Sequence, residues 1–168
     1  MYILNSNMVK KFTSEEFTQI IEWCEQGDLD SIKNFVQNYR FYNNKCFAIA
    51  CRNGYMQMAI WFHNNSSNIN NYRNYEQALR NCIEVQRIDI VKWLLAIDPQ
   101  VKIADDLKLL YQVAESGNCE LVDIILTHQP NMKNEIKDTS YELAVLKNHL
   151  NVASTLARHR NNILYSDV

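Results

Sequence analysis

Apolar residues recur along the chain with the spacing of one helix face, and the pattern occurs twice in every thirty or so residues. Counting from each of five anchor residues, apolar side chains stand at positions −7, −4 and −3, and again at +2, +5 and +8. Steps of three and four place side chains on one face of an α-helix, so each anchor is predicted to separate two amphipathic helices. The anchors are Gly27, Gly54, Gln86, Gly117 and Asn148.

This repetition predicts an all-α solenoid of helix–turn–helix units. Helices this short are not stable alone in water, and each pair has an apolar face that a neighbouring pair must cover. We therefore expect a single domain, 1–168, in which residues 1–12 form an N-terminal extension. The units are predicted at residues 13–40, 44–71, 75–103, 107–134 and 138–165.

The residue types at the anchors and at the helix starts refine this picture. Glycine suits a left-handed turn, asparagine is the next most tolerant residue, and Gln86 therefore predicts a strained or altered turn. Two capping boxes are predicted to start helices, one in "TSEE" at 13–16 and the other in "TSYE" at 139–142.

Three stretches resemble the second half and the loop of ankyrin repeats: "FAIACRNGYMQMAIWF" at 47–62, "LYQVAESGNCELVDIIL" at 110–126 and "SSNIN" at 66–70. The resemblance covers residues 13–165 and implies an ankyrin-like solenoid of about five helix–turn–helix repeats with short loops. The family's T-P-L-H tetrad is missing from every unit, so the first helices are expected to be held by packing. The style of 76–103 is similar to the divergent ankyrin proteins of giant DNA viruses of amoebae.

Composition narrows the class of protein. A net charge of −2 on 168 residues argues against nucleic-acid binding, and no apolar run is long enough to predict a membrane span or a signal peptide. Five cysteines without a secretory signal indicate free thiols in a reducing, cytoplasmic compartment, which is the host cytoplasm if the protein is viral. We expect Cys24, Cys51 and Cys82 to be small buried apolar residues.

Motifs for chemistry are missing from the sequence. It contains no phosphate-binding glycine loop, no H-E-x-x-H and no G-x-S-x-G, and three glycines leave little for a phosphate cradle. The four histidines show no metal-ligand spacing; His149 is expected to pack in a turn, and His63 and His128 to lie at helix ends. We expect no enzyme activity, no cofactor and no metal.

The resemblance implies that a partner protein binds the concave face through positions −13, −12, −10, −2 and −1 of each unit. Separately, residues 39–44 and 70–76 are expected to form exposed loops between helices. They are rich in Tyr, Arg and Asn, which are typical of interfaces. The alternative is that these tyrosines only cover gaps left by short loops. The candidate partner-binding residues are Phe41, Tyr42, Asn44, Arg52, Asn53, Tyr72, Arg73, Asn74, Glu76, Glu84, Asp105 and Glu115.

Two functions remain open on this evidence. The first is a non-enzymatic interaction module, expected to be monomeric, that binds a host protein if the source is viral. The second is a structural or self-assembling scaffold component of a virion or complex; an enzyme with an unrecognised site is more remote. The basic segment "ARHR" at 157–160 is either a solvated end cap or part of a docking tail.

Overall fold

A computed structural model describes residues 12–36, 43–65, 72–103 and 107–161, which form ten α-helices and no strand. The predicted all-α class is therefore confirmed for this part of the chain. The helices are α1 Ser14–Gln26, α2 Leu29–Val36, α3 Asn44–Asn53, α4 Met56–Asn65, α5 Tyr72–Glu84, α6 Ile88–Ile97, α7 Leu107–Glu115, α8 Cys119–His128, α9 Asn134–Leu146 and α10 Leu150–Asn161.

Each anchor lies between two consecutive helices, which we call hairpins 1 to 5 in chain order. All five anchors have positive φ, including Gln86 at 59° and Asn148 at 62°. At Gln86 the backbone N–H reaches the Ile83 carbonyl and the next N–H reaches Cys82, the same pattern as at Gly54. The prediction for Gln86 is a strained or an altered turn. The turn is not altered, but the strain is confirmed, since a side chain in left-handed backbone costs roughly 1–2 kcal/mol.

One predicted capping box is confirmed and the other is wrong. Thr13 and Glu16 exchange side-chain and backbone hydrogen bonds of 2.8 and 3.2 Å at the start of α1. Thr139 instead lies inside α9, where its hydroxyl donates to the Glu135 carbonyl at 2.9 Å. Helix α9 begins at Asn134 and α5 at Tyr72, each a few residues before the unit boundary predicted for it.

The helices pack as two compact units, Met1–Ala78 and Leu79–Val168. In the first unit, α1 packs on α2 and α3, and α3 packs on α4. In the second, α7 packs on α8 and α9, while α10 packs on α8 and α9. Within each unit, therefore, first helices contact first helices, and in the second unit second helices also contact each other. The single domain stays a prediction.

Most positions that the apolar pattern selects are buried in hairpins 1 to 4. Leu94, Val122 and Ile125 have no exposed surface, as the pattern predicts. All five cysteines are free; Cys24, Cys51 and Cys82 are buried as expected, and Cys46 is buried with them.

Three polar side chains are buried among the described residues of the second unit, and each has a partner. Ser140 donates to the Ile136 carbonyl at 2.7 Å, and the Thr155 hydroxyl lies 3.1 Å from the Cys119 sulfur. The Lys137 amine donates to the Pro130 carbonyl at 2.8 Å, and burial lowers the pKa of this lysine.

Candidate functional site

Six of the twelve candidate partner-binding residues have described side chains. All six lie on the first helix of a hairpin, and five of them are exposed while Asn53 is half-buried. They are Asn44, Arg52 and Asn53 on α3, Glu76 and Glu84 on α5, and Glu115 on α7.

The other six candidates lie partly or wholly outside the described residues. Phe41, Tyr42 and Asp105 fall outside them. The backbone of residues 72–74 forms the first turn of α5 and not a loop, which corrects the expectation that Tyr72, Arg73 and Asn74 lie in an inter-helix loop. The reason is that the helical pattern of α5 extends further toward the N-terminus than the unit boundary at residue 75 allowed.

Position −2 presents an exposed charged side chain on each described first helix of hairpins 1 to 4. It is occupied by Glu25, Arg52, Glu84 and Glu115, and each lies beside a fully buried residue at −3. Since the buried neighbour fixes the orientation of the helix, the charged residue must point to solvent. Glu115 is also engaged within its own unit, because its carboxylate lies 2.9 Å from the Lys147 amine.

Tyr75 is one of the tyrosines for which sequence left two interpretations open, and it belongs to the core. Its side chain is 7% exposed and meets Phe47 edge-on, with ring centroids 5.7 Å apart. Its hydroxyl lies 2.7 Å from Nδ1 of His63 in the last turn of α4. Tyr75 therefore covers the apolar interior, which is the structural interpretation.

The second helices carry polar contacts between hairpins that the sequence did not reveal. Asp123 on α8 accepts hydrogen bonds from Arg158 at 2.7 Å and His159 at 2.8 Å, both on α10. The hydrogen bond from His159, together with the charge of Arg158, lowers the pKa of the Asp123 carboxyl. Two residues of the "ARHR" segment thus tie α10 to α8. Lys92 on α6 forms a comparable pair with Glu120 on α8.

A recess of about 560 Å³ opens between the loops that follow α6 and α8. It is lined by residues 99–102 and 128–132, and Nε2 of His128 lies 2.7 Å from the Val101 carbonyl across it. The two loops are similar in sequence in that Pro99 and Pro130 stand at the same distance from their anchors. The lining combines polar side chains, among them Lys102 and Asn131, with apolar ones such as Met132.

The described residues show neither a candidate metal site nor a membrane-spanning helix. No three His, Cys, Asp or Glu side chains in this part of the chain come together as metal ligands. No helix within it is long and apolar enough to cross a membrane. Comparison with protein-family models, with curated proteins and with solved structures finds no match for the chain.

Proposed function

We propose that this chain is an ankyrin-type solenoid that acts as a non-enzymatic protein-interaction module. Its partner is a protein that contacts the first-helix side of several hairpins, and the resemblance to ankyrin proteins of giant viruses makes a host protein the proposed target. The proposal rests on the ankyrin-like motifs and on the regular helix hairpins with left-handed anchors.

The observation that carries the proposal is the exposed, charged position −2 on α1, α3, α5 and α7. Within each unit, two first helices thus offer a charged side chain at an equivalent position, and such a repeated position suits contacts with a partner protein. Both signs of charge occur there, since Arg52 stands in this series with three glutamates. Such a mixed pattern favours specificity and correct register of the partner over general adhesion.

The test starts with affinity capture of partner proteins from host-cell lysate by the full chain, followed by affinity measurement with the purified partner. The variant Arg52→Ala with Glu84→Ala should weaken binding by roughly 2 kcal/mol, because each unit loses one charged hot-spot contact. Both residues are exposed, so the thermal midpoint of unfolding should be unchanged.

The matched control is Gln57→Ala on α4, an exposed residue of a second helix that should leave affinity unchanged. Asp123 is unsuitable for this purpose, because it is bonded to Arg158 and His159 and its loss would disturb packing between hairpins. If Gln57→Ala weakens binding and the double variant does not, the partner contacts the second-helix side and the proposal is wrong.

A further inference from the structure

Hairpin 5 exposes a cluster of large apolar side chains. In the described part of the chain, the large hydrophobic residues that are exposed all belong to this hairpin. They are Tyr141 at 37%, Val145 at 45%, Leu146 at 80% and Leu150 at 63% relative exposure. We call these four residues the end face. Several large apolar side chains exposed on one hairpin are a typical mark of an interaction site.

Two end-face residues occupy positions that are buried in every earlier hairpin. Position −7 is Tyr141 in hairpin 5, and position −3 is Val145. In hairpins 1 to 4, position −7 is at most 1% exposed and position −3 has no exposed surface: Ile20, Phe47, Leu79 and Leu110 at −7, and Cys24, Cys51, Ile83 and Ala114 at −3. The end face is therefore the surface with which a hairpin normally receives the next one.

The second unit shows this relationship directly. Helices α7 and α8 are covered by α9 and α10, and Cys119, at position +2, lies 3.1 Å from the hydroxyl of Thr155 on α10. The corresponding +2 residue of hairpin 5 is Leu150, which is 63% exposed. The end face thus continues the packing surface between hairpins 4 and 5 and fits another helix hairpin.

Hairpin 1 does not offer the matching surface. The face by which hairpin 5 meets hairpin 4 includes positions −8 and +4, which are buried in hairpins 2 to 5: Cys46, Ala78, Leu109 and Ser140 at −8, and Met58, Ile90, Leu121 and Val152 at +4. In hairpin 1 these positions are the exposed Gln19 and the half-buried Ser31, and the exposed Glu15 and Glu22 lie on the same helix. Gln19 donates to the carboxylate of Glu22, and Ser31 donates to that of Asp28. Seating this surface on the end face of another copy would therefore desolvate two carboxylates against apolar side chains.

We propose that the end faces of two copies of this chain pair with each other about a twofold axis. Pairing of like faces places apolar on apolar surface, whereas head-to-tail stacking would place Gln19 and Ser31 against Leu146 and Leu150. An isologous contact of this kind closes after two copies and does not grow into a filament. This inference goes beyond partner binding, is independent of it, and replaces the expected monomer with a dimer.

The test is light scattering with size exclusion, and sedimentation equilibrium, on the full 168-residue chain from micromolar to near-millimolar concentration. The wild-type mass should rise from that of one chain to that of two and stop there. The variant Leu146→Lys with Leu150→Lys should raise the dimer dissociation constant by about tenfold or more, because four buried charges would meet across the axis. Both leucines are exposed, so the thermal midpoint of dilute protein should not change.

The control is Gln19→Lys with Asn34→Lys, which adds the same charges at exposed positions of hairpin 1 and should leave the dimer intact. Loss of association in both variants, or a mass that keeps growing with concentration, would show head-to-tail stacking and overturn the proposal. A wild-type chain that stays monomeric throughout would also overturn it. If the chain stays monomeric, a variant that ends at residue 161 tests whether residues 162–168 occupy the end face. If that variant is also monomeric, the remaining occupant is a different protein.

Discussion

The phenol of Tyr55 donates a hydrogen bond of 3.1 Å to the backbone carbonyl of Glu25, and its ring lies directly over Gly27. A Cβ atom on Gly27 would stand only 2.9 Å from the ring. His149 repeats the arrangement in the second unit, with Nε2 at 2.9 Å from the Glu115 carbonyl. Tyr55 follows the anchor Gly54, and His149 follows the anchor Asn148. Each ring therefore holds the turn of the preceding hairpin and leaves room only for glycine at that hairpin's anchor.

Gln86 shows what replaces this contact when the ring is missing. The residue after the next anchor is Asn118, whose side-chain amide donates to Oε1 of Gln86 at 2.9 Å. The polar pair fills the place that a ring over glycine occupies elsewhere. A polar residue that bonds to the anchor side chain thus stands at Gln86, where a ring stands over Gly27 and Gly117.

The first prediction is that Gly117 and His149 are energetically coupled. A Cβ on Gly117 would stand 2.8 Å from Nδ1 of His149, and its φ of 76° is unfavourable for alanine by roughly 1–2 kcal/mol. Gly117→Ala should therefore cost more than this backbone strain in the wild type, but only the strain in a His149→Ala background. Denaturant unfolding of the four proteins in this cycle should give a coupling energy of about 0.5–3 kcal/mol. Strictly additive costs would mean that the ring does not determine the anchor.

The second prediction concerns the apolar core. Leu94 on α6 is fully buried, so Leu94→Ala should lower the free energy of unfolding by roughly 2–5 kcal/mol through lost burial and an unfilled cavity. Leu146→Ala is the matched control, because that leucine is 80% exposed. At protein concentrations that keep the chain monomeric, the control should change the free energy by less than about 0.5 kcal/mol. Equal costs for the two variants would contradict the assigned helix face.

Local features of the fold could be predicted from sequence because their causes lie within a few residues. The anchors and the buried faces follow from apolar spacing, and Thr13 with Glu16 caps α1 as the local motif indicates. The same motif failed at Thr139, since the residues before it continue the helix back to Asn134 and the hydroxyl bonds to the preceding turn instead. The four residues of a capping-box motif carry no information on whether the residues before them are already helical.

Contacts between hairpins could not be predicted, because the partners are some thirty residues apart and only packing brings them together. Nothing in the sequence near Asp123 indicates that Arg158 and His159 will reach it. The composition of residues 70–76 suggested an interface. The hydroxyl of Tyr75, however, lies within hydrogen-bond distance of a ring nitrogen of His63 inside the first unit. Of the candidate partner-binding residues, Arg52 and Glu84 were selected through the ankyrin resemblance, and both are exposed.

The third prediction is that one cysteine reacts much faster than the other four. A hydrogen bond with Cys46 raises the pKa of the Cys24 thiol, and burial raises it further. The reactive thiolate is therefore scarce at Cys24. Cys119 is the only partly exposed cysteine among the five. Brief maleimide labelling of native protein with mass spectrometry should modify Cys119 first. Labelling in denaturant is the control and should reach all five; fast native labelling of Cys24 would contradict the packing.

The fourth prediction concerns the pH dependence of the contact between α8 and α10. The folded pKa of Asp123 is lowered, so its contribution is present above the unfolded carboxyl pKa of about 3.9 and is lost as pH falls through the lower folded value. The Asp123 side chain is 46% exposed, and solvent screening therefore limits the effect. Asp123→Asn should cost roughly 0.2–1 kcal/mol at pH 7. Urea unfolding of both proteins from pH 7 downward should show this difference closing below about pH 4.

The control for this prediction is Arg158→Met, measured in the wild type and in the Asp123→Asn background. At pH 7 the arginine change should cost stability only where the aspartate is present, because the 2.7 Å contact between them is what it removes. At acidic pH, where Asp123 is protonated in both the folded and the unfolded chain, the arginine change should cost the same in the two backgrounds. A coupling that persists unchanged at acidic pH would show that Arg158 stabilises α10 by packing and not through the carboxylate, and the assigned cause of the lowered pKa would be wrong.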